Sequence, residues 1–256
     1  MGALHEGHLS LVRRATAGND LVVVSVFVNP AQFNDPADLE KYPRDLERDA
    51  ALAVTAGADV IYAPEVNTIY PDGFATTVSV SGVTELWEGK SRQGHFDGVA
   101  TVVTILLNQV RPDRAYFGEK DFQQLAMVRR LRHDLSLPGE IVGCPIVREA
   151  DGLAMSSRNV RLNEAERRVA PVLYEALSAM RETARDGETS ALKLAILGAV
   201  LVKRAPLVAL DYLQVVDPAT IQPVEVVEPG SRAIIAATIG DIRLIDNLTL
   251  LPEEGA

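Results

Sequence analysis

The run Leu21-Val22-Val23-Val24-Ser25-Val26-Phe27-Val28 constrains the fold of this chain more than any other segment. It is continuously apolar and largely β-branched. That pattern predicts a parallel strand buried on both faces, which requires a sheet covered by helices. The sequence up to residue 147 alternates to match. A helical stretch from Leu46 to Ala56, with Gly57 as its stop, precedes Val60-Ile61-Tyr62 as a short strand, and Thr76 to Val80 reads as a weaker one. Val99, Val102, Val103, Leu106, Leu107 and Val110 then recur at helical spacing, with Asp97 as the expected cap. Ala115 to Phe117 reads as a strand, Phe122 to Leu135 as a helix and Ile141 to Val147 as a strand. The expectation is an α/β, Rossmann-like parallel-sheet domain over residues 1–147.

Beyond Arg148 the order changes. After a loop from Glu149 to Arg161, Asn163 caps a long helix with Glu166 three residues on. A second helix follows from Leu192 to Arg204, then strands at Leu210 to Val216, Arg232 to Ile239 and Ile242 to Leu250. Helices first and strands later predict a smaller α+β domain over residues 148–256, with a hinge near 148–153.

The net charge of -10 excludes a nucleic-acid partner, because phosphate-backbone binding needs a concentrated basic face. Any anionic ligand must be met by a local cluster of donors. No apolar stretch is long enough to span a membrane and no signal peptide is visible, so a cytoplasmic protein without a membrane partner is expected. The single cysteine, Cys144, cannot form an internal disulfide and reads as a buried strand residue. No cluster of His, Cys and carboxylates has zinc spacing.

Four segments carry chemistry. His5-Glu6-Gly7-His8 opens the amphipathic run Leu9, Leu11, Val12, Ala15. It puts two imidazoles on one face of a first helical turn, where N–H groups and the helix dipole favour an anion. Gly7 leaves room for a flat ring such as adenine. Phe27 to Phe33 follows the first strand, and ligands bind at the carboxyl ends of strands in open α/β sheets. Asn29 and Gln32 there are either solvated turn amides or donors and acceptors for a hydroxy acid. Gly118-Glu119-Lys120-Asp121-Phe122-Gln123-Gln124 also lies between a strand and a helix. Lys120 there either reaches phosphate oxygens or joins a surface ion-pair cluster. Met155-Ser156-Ser157-Arg158-Asn159 is a flexible donor set able to fold over a triphosphate. Of the remaining residues, His133 reads as part of a solvated helix face, Trp87 as packing, and His95 as a secondary candidate.

The first segment is the HxGH signature of enzymes that break ATP between its α- and β-phosphates. The fourth resembles the KMSKS loop of class I aminoacyl-tRNA synthetases. In this order, with Gly94 to Val99, Arg111 to Arg114, Val147 to Asn159 and Arg243-Leu244-Ile245-Asp246-Asn247, they resemble the pantothenate synthetase family over almost the whole chain. The resemblance implies a two-step ligase. (R)-Pantoate attacks the α-phosphorus of ATP to give pantoyl adenylate, and β-alanine then displaces AMP. It implies Mg2+ with the triphosphate and a homodimer.

Carried onto matching positions, the resemblance implies ATP contacts at Met1, Gly2, Ala3, Leu4, His5, Glu6, Gly7, His8, Gly118, Glu119, Lys120, Asp121, Val147, Met155, Ser156, Ser157 and Arg158. It places pantoate and β-alanine at Gln32 and Gln124, with Asn29 adjoining. His8, His5, Lys120 and Arg158 are the implied catalytic donors, His8 as proton donor. Family members normally begin with a strand and a Pro-Thr pair before the Met-Gly-Ala-Leu segment, so the first strand is expected to be missing here. Two alternatives stand: an HxGH nucleotidyltransferase that stops after nucleotide transfer, and an inactive nucleotide-binding homologue.

Overall fold

The computed structural model describes residues 2–33, 39–40 and 44–252. The chain divides into two compact units: residues 1–119 with 123–145, and residues 120–122 with 146–256.

The first unit is α/β. Helix α1 (Glu6–Thr16) leads to strand β1 (Val23–Ser25), which pairs in parallel with β2 (Val60–Tyr62) in the register Val23↔Val60. Between them lies α2 (Leu46–Thr55), capped by Asp45. Short helices α3 (Val66–Ile69) and α4 (Glu88–Ser91) precede the long α5 (His95–Val110). Strand β3 (Arg114–Gly118) pairs in parallel with β4 (Glu140–Cys144), and α6 (Phe122–Asp134) connects them. Leu4, Val12, Ala15, Val22, Val24 and Ala53 form one core, with Tyr116 of β3 packed against it.

The parallel strands thus form two separate pairs rather than one continuous ladder. Side chains span from the loop after α1 to β3 instead. The loop residue Asn19 donates to the Tyr116 hydroxyl at 2.7 Å, and Arg114 donates to the Gly18 carbonyl at 2.8 Å.

In this unit three expectations need correction. The apolar run at 21–28 is a strand only over Val23–Ser25, and it is not buried on both faces: Val22 and Val24 are buried, while Val23 and Ser25 are half-buried. With one ladder partner among the described residues, the chain leaves the sheet after Val26 donates to the Tyr62 carbonyl. Thr76 to Val80 is not a strand, because the Val78 N–H goes to the Thr101 hydroxyl rather than to a neighbouring strand. Asp97 is not the cap of α5. The helix starts earlier, behind Gly94 in the left-handed region at φ 76°, and Asp97 sits in the first turn accepting from Ser79.

The second unit is α+β. The long helix expected after Asn163 breaks at Pro171 into α7 (Glu164–Val169) and α8 (Val172–Arg185). Proline has no N–H to continue the ladder, although the Asn163–Glu166 capping box forms as expected. Helix α9 (Ala191–Arg204) follows. Strands β5 (Val208–Val216), β6 (Arg232–Ile239) and β7 (Ile242–Thr249) form an antiparallel sheet with β6 in the middle. The central strand is almost wholly buried, as its position between two partners requires. Leu173, Leu177 and Met180 of α8 share a core with Leu194, Ile235 and Leu244.

Candidate active site

The His5-Glu6-Gly7-His8 segment builds its own cap. His5 is the residue before α1, and its Nδ1 accepts from the Gly7 N–H at 3.2 Å. His8 reaches back, its Nδ1 accepting from the His5 N–H at 3.3 Å. A backbone N–H can only donate, so both Nδ1 atoms are unprotonated and both neutral rings carry their proton on Nε2. The rings stand 4.1 Å apart. The pattern therefore yields two oriented Nε2–H donors at a helix N-terminus. It also modifies the expectation of free first-turn amides, since the Gly7 N–H is taken by His5.

Sequence reasoning missed Asp49. It lies in the first turn of α2, where an acidic residue looks like ordinary helix-end complementarity. Yet it is 1% exposed. Its two oxygens accept from the Ala3 N–H at 2.8 Å and the Leu4 N–H at 2.7 Å. Ala3 adopts φ 50°, a left-handed conformation that costs a non-glycine residue energy, and the Asp49 carboxylate holds it there. The bend Gly2-Ala3-Leu4 entering the histidine motif is thus set from outside it. Met1 lies outside the described residues.

Asn29 and Gln32 lie on a 3-10 turn (Pro30–Gln32) after β1. Asn29 is not a solvated turn amide. It is 2% exposed and makes four hydrogen bonds: from the Ala31 N–H, from the Tyr70 hydroxyl, to the Gly98 carbonyl and to Gln32 Oε1. Gly98 permits this approach; a Cβ there would stand 2.2 Å from the Ala31 carbonyl oxygen. Gln32 is half-buried. Its carbonyl oxygen meets His95 Nδ1 at 2.9 Å, and Arg92 Nη1 meets His95 Nε2 at 3.0 Å. Arginine can only donate and a carbonyl can only accept, so the buried His95 is the neutral Nδ1–H tautomer. It anchors the Gln32 backbone. Next to the half-buried Gln124, the buried Gln123 clamps residues 83–88, donating to Val83 and Leu86 and accepting from Glu88.

In the second unit, Lys120 occupies the 3-10 turn Glu119–Asp121. Its side chain is only 20% exposed, and its ammonium lies 3.9 Å from the Asp121 carboxylate, a loose pair. The Lys120 carbonyl accepts from Asn247 Nδ2 at 3.0 Å, while Asn247 Oδ1 accepts from Arg232 Nε at 2.7 Å. Arg232 in turn stacks on Phe122, its guanidinium carbon 4.0 Å from the ring centre. Its neighbour Asp246 is buried and takes a bidentate pair from Arg148, at 2.6 and 2.9 Å. Burial pushes the Asp246 carboxyl above its ordinary range, and Arg148 pulls in the opposite direction. The Asp246-Asn247 pair thus holds Arg148 through one residue and the Lys120 turn through the other.

The segment expected as a hinge is a tight, ion-paired turn. Arg148 and Ala154 bridge, Glu149 N–H donates to the Leu153 carbonyl, and Arg167 pairs with both Asp151 and Glu149. Asn159 closes it from the far side, donating to Glu149 Oε1 at 2.8 Å and to the Ala154 carbonyl at 3.1 Å. The Met155 N–H donates to the Val147 carbonyl, which puts Val147 beside the donor set. Ser156, Ser157 and Arg158 are half-buried, and the Arg158 N–H donates to Ser156 Oγ. Elsewhere, Cys144 is buried in β4 and burial raises its thiol. His133 is solvated beside Asp134. Trp87 holds φ 52°, a strained value for a bulky residue, in the segment that Gln123 clamps.

The family model described as Pantoate-beta-alanine ligase matches residues 1–249. The chain is 54% identical over 253 residues to the pantothenate synthetase of Thermus thermophilus, covering 98% of this chain and 91% of that one. It is 54% identical over 248 residues to that of Cereibacter sphaeroides, covering 97% and 88%. A crystal structure of the Thermus thermophilus enzyme superposes with a TM-score of 0.95 at 53% identity, covering 98% and 91%. A crystal structure of the pantoate-beta-alanine ligase of Francisella tularensis, complexed with beta-gamma ATP and beta-alanine, superposes with a TM-score of 0.78 at 35% identity, covering 98% and 87%. The chain belongs to the pantoate–β-alanine ligase family.

Proposed function

We propose that this chain condenses (R)-pantoate with β-alanine at the expense of ATP, through pantoyl adenylate, releasing pyrophosphate and then AMP. In the first step a pantoate carboxylate oxygen bonds to the α-phosphorus and the bond to the pyrophosphate oxygen breaks. In the second the β-alanine nitrogen bonds to the acyl carbon, AMP leaves with the electron pair of the C–O bond, and the amine loses a proton. Negative charge grows on phosphate oxygens during displacement, and fixed donors offset it most effectively.

The observation that carries this reading is the paired imidazole cap. Both rings are locked with Nε2–H as donor, so they stabilise phosphate charge without rearrangement. His8 is the proposed proton donor, with His5 beside it. Gly2 to His8, Gly118 and Glu119 are the proposed nucleotide contacts of the first unit. Lys120, Asp121, Val147, Met155, Ser156, Ser157 and Arg158 are those of the second. Gln32 and Gln124 are assigned to pantoate, with Gln32 also near β-alanine and Asn29 supporting it.

Magnesium enters with the triphosphate as part of the substrate. This suits a cation that keeps few protein ligands, and among the described residues no three His, Cys, Asp or Glu side chains form a metal cage. A homodimer in the cytoplasm completes the proposal; sedimentation and cell fractionation check those two points. Pantoate-dependent exchange of labelled pyrophosphate into ATP, without β-alanine, tests the adenylate. Exchange that ignores pantoate favours a nucleotidyltransferase, and none at all favours an inactive homologue.

A further inference from the structure

Two backbone groups fix the polarity of the Asn29 carboxamide. The Ala31 N–H can only donate, so the atom it meets at 3.2 Å is Oδ1. The Gly98 carbonyl can only accept, so the atom it meets at 3.0 Å is Nδ2. That polarity propagates in two directions. Nδ2 also reaches the Gln32 side chain at 3.3 Å, where only the amide oxygen can receive it. Oδ1 receives the Tyr70 hydroxyl at 2.7 Å, so Tyr70 is the donor. With its oxygen committed to Asn29, Gln32 has the protons of Nε2 to offer a ligand. Those protons suit an acceptor, such as a carboxylate or hydroxyl oxygen.

Tyr70 follows α3 and belongs to neither the histidine motif nor the turn after β1. Its ring is placed independently of Asn29. It packs edge-on against Phe74 with centroids 5.1 Å apart and tilts over Phe27 at 6.4 Å. Burial raises the Tyr70 phenol above its ordinary value, against the opposing pull of the Asn29 bond, so the hydroxyl stays in its donor form.

We propose that Tyr70 is a positioning residue: through Asn29 it holds the Gln32 carboxamide with its amino group directed at the pantoate oxygens. This rests on the assignment of Gln32 to pantoate.

Tyr70→Phe removes one oxygen and leaves the ring packing in place. The variant raises the KM for pantoate about three- to tenfold, the size of one lost hydrogen bond, while the KM for ATP and the melting temperature stay near wild type. In a Gln32→Ala background the same change has no further effect, because the residue it acts through is gone. An unchanged pantoate KM, or an effect that multiplies undiminished onto Gln32→Ala, overturns the proposal. A second readout needs no substrate. The Asn29 side-chain amide protons, followed by NMR, exchange faster in Tyr70→Phe than in wild type; equal rates also overturn the proposal. A wild-type chain indifferent to pantoate would overturn the functional reading instead, and the exchange rates would still decide whether Tyr70 positions the carboxamide.

Discussion

Asn247 Nδ2 donates to the Lys120 carbonyl oxygen at 3.0 Å, across 127 residues of chain. Arg232, which can only donate, occupies Asn247 Oδ1 and so forces the amino group toward Lys120. A strand near the end of the sequence thereby sets the turn that carries the proposed phosphate-binding lysine. Asn247→Asp keeps the shape and the Arg232 contact but replaces the donor with an acceptor facing the carbonyl. The expected result is about tenfold weaker ATP binding with pantoate saturation unchanged, consistent with a loss of about 1–2 kcal/mol. Calorimetry with ATP checks it; wild-type affinity would separate Asn247 from the nucleotide.

Asp49 is tied to Ala3 and Leu4 in the same way. Asp49→Ala strands two N–H groups, one of them fully buried, and frees the left-handed bend at Ala3. The expected cost is about 1–3 kcal/mol for each unsatisfied donor, read as a lower melting temperature, together with reduced pyrophosphate exchange. A variant that melts like wild type and still loses exchange would show that Asp49 acts on the chemistry rather than on the bend.

The turn at 148–154 has a pH dependence with a defined sign. Arg167 beside Asp151 holds that carboxyl below its ordinary value. A carboxylate lowered in the folded state stabilises above its unfolded value, about 3.9, and loses that contribution as pH falls through the lower folded value. The melting-temperature gap between wild type and Arg167→Gln is therefore constant above about pH 4.5 and shrinks below about pH 4. A gap that widens on acidification contradicts the pairing.

His8→Ala removes an oriented Nε2–H donor and one half of the α1 cap. Adenylation falls about 10²–10⁴-fold. The cap loss costs about 1 kcal/mol, so the chain stays folded. Near wild-type pyrophosphate exchange from the purified variant would refute the assignment of His8.

Much of this arrangement was legible in the sequence because it is local. The helix start at His5-Glu6-Gly7-His8, the Asn163–Glu166 capping box and the strand–turn–helix around Lys120 each follow from spacing within a few residues, whereas the reciprocal His5–His8 cap does not. Short local signals failed where tertiary partners decide. Val78 looked like a strand residue, but its N–H is satisfied by a threonine on α5. The run at 21–28 looked like a core strand, but with a single ladder partner among the described residues it is a strand over only three residues. Asp49, Tyr70 and the role of Asn247 were invisible for the same reason. Each acts on a backbone or amide group brought near by the fold, and an isolated Asp, Tyr or Asn in a sequence carries no mark of that.

A pantoate–β-alanine ligase needs two different acceptors in turn. AMP release from ATP, measured with pantoate alone, β-alanine alone and both together, tests it most directly. Steady AMP release is expected only with both, equal in amount to the pantothenate formed. AMP release that proceeds without β-alanine, or without pantoate, would contradict it.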